Sequence, residues 1–283
     1  MPTRNSDKRV LVVGATGNQG GAALRHLRAR GFPVRAITRD PEKPQARALA
    51  ASGVEVVRGD LDDPDSLRRA MDGVWGVYSV QAYQHGPEIE VRQGRAVADA
   101  AQRSRVSHLV YSSALAVDRN TGIPHFESKA QIEAYIGGLG VPYAIFRPGF
   151  FMENWLHMKN QINDGNILFP LSPNRRLPML AVDDIGAFVA MAFEHADKWR
   201  NRAFDLAGDE LPMHAIAERF GRKIGRQVRY RQTPWDQFET QAGSDLTKMF
   251  RWIEEHGFEV SVDAVRAQYD QLTTFDGWLN KNW

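Results

Sequence analysis

Three glycines spaced three residues apart form the clearest candidate for a phosphate-binding loop in this chain. They lie in the segment Gly14–Gly20, which reads GATGNQG and follows the apolar run Val10–Val13. Gly14 permits a tight turn, Gly17 lets the backbone approach a pyrophosphate, and Gly20 allows a helix to pack closely on a strand. The spacing is GxxGxxG and not the ordinary GxGxxG fingerprint. Its place between a predicted strand and a predicted helix nevertheless favours nucleotide binding over a purely structural turn.

A basic residue after the second predicted strand indicates which cofactor such a loop would hold. An acidic side chain about 20 residues beyond the loop would accept a ribose 2′-hydroxyl, as in NAD sites. Here the position 39 − 20 = 19 residues after Gly20 is Arg39, followed by Asp40, with Lys43 close by. A guanidinium suits a 2′-phosphate, so the sequence predicts NADP(H) in preference to NAD(H). The alternative is a surface arginine beside an Asp40 that takes the ribose.

Alternating strand and helix patterns must position this loop. Six short runs read as strands, namely Val10–Val13, Val34–Thr38, Val54–Arg58, Val74–Val80, His108–Ser112 and Tyr143–Phe146. Amphipathic segments between them read as helices, including residues 20–30, 64–71, 88–103 and 129–139. Continuous apolar strands separated by such helices predict a parallel sheet covered on both faces. We therefore expect an α/β fold with a doubly wound Rossmann domain over residues 1–150. A smaller α/β lobe is predicted over residues 151–283, with some segments free to return to the Rossmann sheet.

Composition excludes several other classes of protein. The chain of 283 residues has 36 Lys and Arg against 34 Asp and Glu, a net charge of +2, which is too balanced for binding polyanions by bulk charge. It has no cysteine, which excludes disulfides, thiolate metal sites and a cysteine nucleophile, and no metal site is predicted. The basic stretch at residues 219–231 is interpreted as a solvated face, so no nucleic acid partner is expected. The polar start and the absence of a long apolar run predict a cytoplasmic protein with no membrane partner.

Several motifs taken together resemble the NmrA-like family, atypical members of the short-chain dehydrogenase/reductase superfamily. The resemblance rests on Gly14–Gly21, Thr38-Arg39, Gly59–Asp62, His125–Lys129 and Arg147–Asn154. It extends over nearly the whole chain. It implies a Rossmann fold that binds NADP(H), and it assigns contacts to the matching positions.

The first group of implied contacts surrounds the adenosine half of the cofactor. The pyrophosphate would be held by Gly14, Ala15, Thr16, Gly17, Asn18 and Gln19. Gly20 completes the loop as its third glycine. The resemblance also implies that Arg39 and Lys43 hold the 2′-phosphate and that Asp60 and Leu61 flank the adenine. Arg92 matches a basic family position near the cofactor. The alternative for Asp60 is that it caps a turn and does not contact the adenine.

The second group surrounds the nicotinamide half. The resemblance implies that Gln81 to Tyr83 line the ribose side and that Lys129 bonds the nicotinamide ribose. The segment facing the nicotinamide would consist of Phe151, Met152, Glu153 and Asn154. The alternative for Phe151 is a place in the core.

The catalytic position departs from the superfamily pattern. Typical short-chain dehydrogenases pair a lysine with a tyrosine four residues earlier, which lies on the same helix face, and add a nearby serine. Here Lys129 is present, but position 129 − 4 = 125 is His125. Ser113, preceded by Ser112, fits the serine position. His125 either serves as the general acid or is a loop residue without a chemical role. Tyr83 or Tyr143 are alternative acids.

Two functions of different classes are compatible with these residues. The first is an NADPH-dependent reductase of a small quinone, enone or related acceptor. The retained Lys129, the serine pair and the aromatic segment Phe150–Trp155 favour it. The second is an NADP(H)-sensing redox regulator without turnover, which acts through a protein partner. The change from tyrosine to His125 favours this second function, and the resemblance implies that the family includes proteins of both kinds.

Overall fold

The computed structural model describes residues 4–283, so residues 1–3 of the predicted first domain lie outside the described part. The strands in chain order are β1 Val10–Val12, β2 Val34–Thr38, β3 Glu55–Arg58, β4 Gly76–Ser79, β5 His108–Ser112, β6 Tyr143–Pro148, β7 Phe150–Phe151, β8 Asn166–Phe169, β9 Arg176–Leu180, β10 Arg202–Leu206, β11 Asp209–Pro212 and β12 Arg229–Gln232. The α-helices are α1 Asn18–Ala29, α2 Pro44–Ala51, α3 Pro64–Ala70, α4 Pro87–Arg103, α5 Pro124–Gly138, α6 Lys159–Asn163, α7 Val182–Glu194, α8 Ala196–Trp199, α9 Met213–Ile224, α10 Trp235–Ala242, α11 Ser244–His256, α12 Val262–Arg266 and α13 Phe275–Asn282.

A seven-stranded sheet forms the first of two compact units. Its strand order is β10-β6-β5-β4-β1-β2-β3. β1 pairs in parallel with both β2 and β4, and the chain proceeds outward from β1 in each direction. This reversal beside β1 is the topological switch point at which doubly wound sheets bind ligands, outside the carboxyl ends of the strands. The predicted α/β, doubly wound fold is confirmed.

The first unit does not end at residue 150. It comprises the described chain up to Asp118, together with His125–Arg147 and Val182–Phe204. The last of these segments contains α7, which packs on α1. A Cβ on Gly186 would lie 2.5 Å from the carbonyl oxygen of Ala22, so only glycine permits this approach. The units therefore do not divide at one point near residue 150, because a later segment that contains α7 belongs to the first unit, a return that the sequence analysis left open.

The second unit has its own sheets and core. It comprises Arg119–Pro124, Pro148–Ala181 and Asp205–Trp283. β9 pairs in parallel with β7 and antiparallel with β11, while β8 pairs in parallel with β12. Its fully buried side chains include Trp155, Phe220, Phe275 and Trp278. Within residues 4–283 no helix is long and apolar enough to cross a membrane.

One helix of the first unit was not predicted, and another begins a full turn earlier than expected. α2 was not predicted, since its alanine-rich stretch buries only Ala46 and has little amphipathic pattern. α5 begins at Pro124 and not at Lys129. Proline is favoured in the first turn of a helix, where its missing N–H costs nothing. His125 is therefore a helical residue, one turn before Lys129.

A buried histidine on β5 couples the stability of the first unit to pH. His108 is fully buried, and its ring lies 5.9 Å from that of Phe193. Neither ring nitrogen has a hydrogen-bond partner among residues 4–283. Burial, with a smaller contribution from Arg200, lowers the pKa of His108 to about 4. The ring is therefore neutral in the folded protein at neutral pH.

We expect this histidine to destabilise the protein as the pH falls. The unfolded chain binds the proton near the ordinary histidine pKa of about 6.5, whereas the folded protein does not until about pH 4. The stabilisation from the neutral His108 ring is present in full above its pKa of about 6.5 in the unfolded chain. It is lost as the pH falls toward about 4, the pKa of His108 in the folded protein. Between pH 7 and pH 5 the loss is about 2 kcal/mol. Urea unfolding of His108→Leu should show a correspondingly flatter pH dependence, whereas His157→Asn, at an exposed histidine, should match the wild type. Equal slopes for wild type and His108→Leu would contradict this assignment.

Candidate functional site

The geometry of the turn between β1 and α1 favours glycine at its first position and permits only glycine at its third. Gly14 has φ of +69°. A Cβ on Gly20 would lie 2.1 Å from the carbonyl oxygen of Gly14, which excludes any side chain there. The N–H of Gly17 donates to the Gly14 carbonyl at 2.9 Å, and that of Gly21 donates to the Gly17 carbonyl at 2.8 Å. The turn is therefore compact and passes directly into the helix.

Gly17 differs from the other two because the chain itself leaves room for a side chain. A Cβ at this position would be 3.4 Å from the Gly14 carbonyl oxygen, which is close to an ordinary contact. Gly17 is exposed, as are Thr16 and Asn18, whereas Ala15 is buried. Glycine at position 17 is thus explained by close approach of an external group to the backbone.

The start of α1 is suited to an anion. Gly17 caps the helix without a side-chain hydrogen bond, and the first turn contains no acidic residue. The first N–H groups of a helix have no acceptor within the helix, and the helix dipole adds partial positive charge. A pyrophosphate group fits this arrangement.

Gln19 connects the turn to the neighbouring strands. Its Oε1 accepts hydrogen bonds from Ser112 Oγ at 2.6 Å and from Tyr78 Oη at 3.5 Å. Burial raises the pKa of Tyr78 above its ordinary value, so the hydroxyl keeps its proton and donates. These bonds fix the turn against the carboxyl ends of β4 and β5.

Two buried polar atoms beside these strand ends lack partners within residues 4–283. Gln81 follows β4, and its Nε2 donates to Ser79 Oγ at 2.9 Å. Gln81 Oε1 and Ser113 Oγ, the latter just beyond β5, have no hydrogen-bond partner among the described residues. A buried polar atom left unpaired costs about 1–3 kcal/mol. Both atoms therefore fit contacts with a hydroxyl-rich ligand such as a dinucleotide.

The end of β2 favours Arg39 over Asp40 as a ligand contact. Arg39 is exposed, and no ion pair or hydrogen bond holds its guanidinium within the described chain. Asp40 Oδ1 accepts a hydrogen bond from the N–H of Glu42 at 3.0 Å and so shapes the loop. Lys43 is exposed at the N-cap position of α2. This arrangement offers positive charge for a phosphate.

The predicted adenine and basic positions already have contacts within the chain. Asp60 Oδ1 accepts from the N–H of Asp62 at 3.0 Å, which is the turn role left open for Asp60. Arg92 Nε donates to Asp62 Oδ1 at 2.9 Å, and this bond holds the pKa of Asp62 below its ordinary value. Leu61 is half-buried against the apolar core of the unit. Ligand contacts at these positions stay predictions.

Lys129 is held by a carboxylate that sequence reasoning missed. Its Nζ pairs with Glu90 Oε1, and the Ser128 hydroxyl donates to Glu90 Oε2. Glu90 lies on α4 and is fully buried. One clue was present in the sequence, because Glu90 shares the inward face of that helix with Gly94 and Val97 at four- and seven-residue spacing.

His125 and Tyr83 lie together near the start of α5. Their ring centroids are 4.9 Å apart, and both residues are half-buried. Tyr143, the other alternative acid, is the first residue of β6. The carboxyl end of that strand lies five residues further on, or roughly 16 Å away at the usual rise of a strand. The geometry excludes Tyr143 from chemistry at the carboxyl edge.

The segment predicted to face the nicotinamide belongs to the second unit. Phe151 and Asn154 are half-buried there, while Met152 is fully buried in the core. Glu153 Oε1 accepts a hydrogen bond from the indole N–H of Trp278 at 3.1 Å. Their assignment to the cofactor stays a prediction.

The doubly wound sheet with a glycine turn at its switch point defines a Rossmann-type protein of the class that binds NAD(P). Within that class, the chain belongs to the NmrA-like family, whose model matches residues 6–279. The resemblance seen in the sequence is thereby confirmed.

Three known proteins similar to this chain include two described as reductases or oxidoreductases and one described as a regulator. An NAD(P)H azoreductase from Xenophilus azovorans is 29% identical over 223 residues, covering 78% of this chain and 76% of the relative. The NADPH-dependent quinone oxidoreductase QOR2 of Escherichia coli, solved with NADPH, is 22% identical with a TM-score of 0.83 over 96% of this chain and 99% of its own. NmrA, a negative transcriptional regulator solved with NADP, is 22% identical with a TM-score of 0.83 over 98% and 95%. The two structural likenesses show a shared fold.

Proposed function

We propose that this protein is an NADPH-dependent reductase of a small quinone, enone or related conjugated acceptor. The observation that carries the proposal is the glycine turn at the head of α1. Beside it lie Gln81 Oε1 and Ser113 Oγ, which have no hydrogen-bond partner in the part of the chain that the structure describes. The relatives described as an azoreductase and a quinone oxidoreductase support the choice of reaction. A small molecule is the proposed partner, with no role for nucleic acid.

In this proposal each part of the site has one task. Bound NADPH supplies a hydride. The turn from Gly14 to Gln19 holds the pyrophosphate, and Arg39 with Lys43 holds the 2′-phosphate. Lys129 holds the nicotinamide ribose, while Ser113 and Gln81 offer hydrogen bonds nearby. His125 or solvent provides the proton that follows the hydride.

We expect Arg39→Ala to weaken NADPH binding selectively. A hydrogen bond to a charged group contributes about 1.5–3 kcal/mol, and NADH lacks the 2′-phosphate that would receive it. NADPH affinity should therefore fall about 10- to 100-fold, while NADH affinity barely changes. Calorimetric titration of both cofactors measures the effect, with Arg58→Ala, an exposed arginine at the end of β3, as the matched control. Equal losses for the two cofactors would refute the assignment of Arg39.

The reaction itself is tested by an NADPH-oxidation screen against quinones and enones, run beside a cofactor titration. We expect tight NADPH binding and measurable oxidation with at least one acceptor. Absence of NADPH binding would overturn the proposal entirely. Binding without oxidation of any acceptor in the screen would remove the reductase and leave the second candidate.

The second candidate is an NADP(H)-sensing regulator that acts through a protein partner. His125 in place of the usual tyrosine favours it, as does the likeness to the regulator NmrA. A sensor must bind its cofactor with different affinity in two conformations, since otherwise binding shifts nothing. Limited proteolysis of the second unit should then differ with and without NADP(H). Equal protection in both conditions would remove this candidate.

A further inference from the structure

We propose that Glu90 is a positioning residue that aims Lys129 at the nicotinamide ribose. This inference deepens the proposed function and rests on it. Glu90 is fully buried on α4, and each of its two carboxylate oxygens has a partner on the neighbouring helix α5. One oxygen pairs with Lys129 Nζ and the other accepts from the Ser128 hydroxyl.

The contact between α4 and α5 does not require an ion pair. One turn along α4, Gly94 lies so close to Ile132 that a Cβ there would be 2.6 Å from Ile132 Cδ1. Apolar packing therefore joins the two helices at this point. A buried ion pair is often no more stable than apolar residues of the same volume, because both charges must be desolvated. The carboxylate at position 90 is better explained by what it does to Lys129 than by helix packing.

The ion pair fixes the direction of a flexible side chain. The Lys129 side chain is 12% exposed, so the ammonium lies at the edge of the buried region. A lysine ammonium has three N–H donors, and among the described residues Glu90 is the acceptor of one of them. The remaining donors are left for a ligand. Without Glu90 the long lysine chain would have many rotamers and would lose entropy on binding.

The test compares a whole cofactor with a fragment that lacks the nicotinamide ribose. The ligands are NADPH and adenosine 2′,5′-bisphosphate, each titrated calorimetrically against wild type, Glu90→Gln and Glu90→Leu. We expect both variants to bind NADPH about tenfold more weakly, while binding of the fragment is unchanged. Glu88→Gln is the matched control, since it makes the same change at an exposed position of the same helix. It should bind both ligands as the wild type does.

A second arm links the effect to Lys129. In a Lys129→Met background, Glu90→Gln should cause no further loss of NADPH affinity, because the ammonium group that Glu90 positions is absent. Equal weakening of both ligands, an additive loss in that background, or normal NADPH binding by the Glu90 variants would each overturn the inference while the proposed function stands. A wild type that binds the fragment and not NADPH would overturn it as well. A wild type that binds neither ligand would overturn the proposed function itself, and this inference with it.

Discussion

Gly17→Val should abolish binding of both NADPH and NADH while the protein remains folded. A Cβ at this position meets the Gly14 carbonyl oxygen at 3.4 Å, so the chain accommodates a side chain with little adjustment. The φ of −94° at Gly17 is also open to any residue. The added isopropyl group instead occupies the space through which a pyrophosphate reaches the first N–H groups of α1. We expect affinity to fall by about 100-fold or more, with equal losses for the two cofactors, measured by calorimetry.

Two further glycine variants separate the ligand effect from folding. Gly138→Val makes the same change near the end of α5, where nothing lies within 4 Å of the added Cβ, and should bind both cofactors normally. Gly20→Ala places its Cβ 2.1 Å from a backbone oxygen and should lower the melting temperature as well as binding. A folded Gly17→Val protein that binds NADPH as the wild type does would contradict the assignment of this turn. Its circular dichroism spectrum establishes whether it is folded.

Local pattern predicted six of the seven strands of the central sheet because each of the six carries its own signature, and only β10 is absent from the set predicted for this sheet. β1 is a fully buried run of Val10, Leu11 and Val12, which no surface strand would show. The glycine turn was predictable for the same reason, since the backbone requirements of Gly14 and Gly20 concern residues close in sequence. Both features depend on neighbouring residues and are therefore visible without the tertiary structure.

Features that depend on distant residues escaped prediction. The sequence left open that a later segment returns to the Rossmann sheet, but it did not indicate which one. The place of α7 depends on Gly186 meeting Ala22, and no local pattern contains both. The bond between Lys129 and Glu90 joins residues 39 positions apart on two helices. The helical pattern places Glu90 on the inward face of α4, but it does not indicate which residue the carboxylate meets there. The site could thus be predicted in its backbone part and not in its side-chain network.

Lys129→Met should reduce turnover by about 10² while retaining weakened NADPH binding, if Lys129 holds the nicotinamide ribose as proposed. The substitution leaves the buried Glu90 carboxylate without its cation, which costs about 3–5 kcal/mol of stability. The double variant Glu90→Gln, Lys129→Met removes that charge. It should recover the melting temperature without recovering turnover. This result would show that the reduced turnover of Lys129→Met does not come from unfolding. Recovery of turnover in the double variant would assign Lys129 a structural role only.

The proton donor is the second catalytic question, and His125→Phe should answer it. Phenylalanine keeps an aromatic ring at this position, which lies 4.9 Å from the ring of Tyr83 in the wild type, and removes the two ring nitrogens. If His125 is the general acid, the rate should fall about 10²-fold or more, and kcat/KM should lose the limb in the neutral pH range that a titrating histidine produces. Tyr83→Phe is the matched control, since it keeps the ring contact and removes the hydroxyl of the other candidate acid. If His125→Phe keeps the wild-type rate and pH profile while Tyr83→Phe loses both, the proton comes from Tyr83. If neither variant changes the profile, solvent delivers the proton, and the histidine at position 125 serves to pack the start of α5.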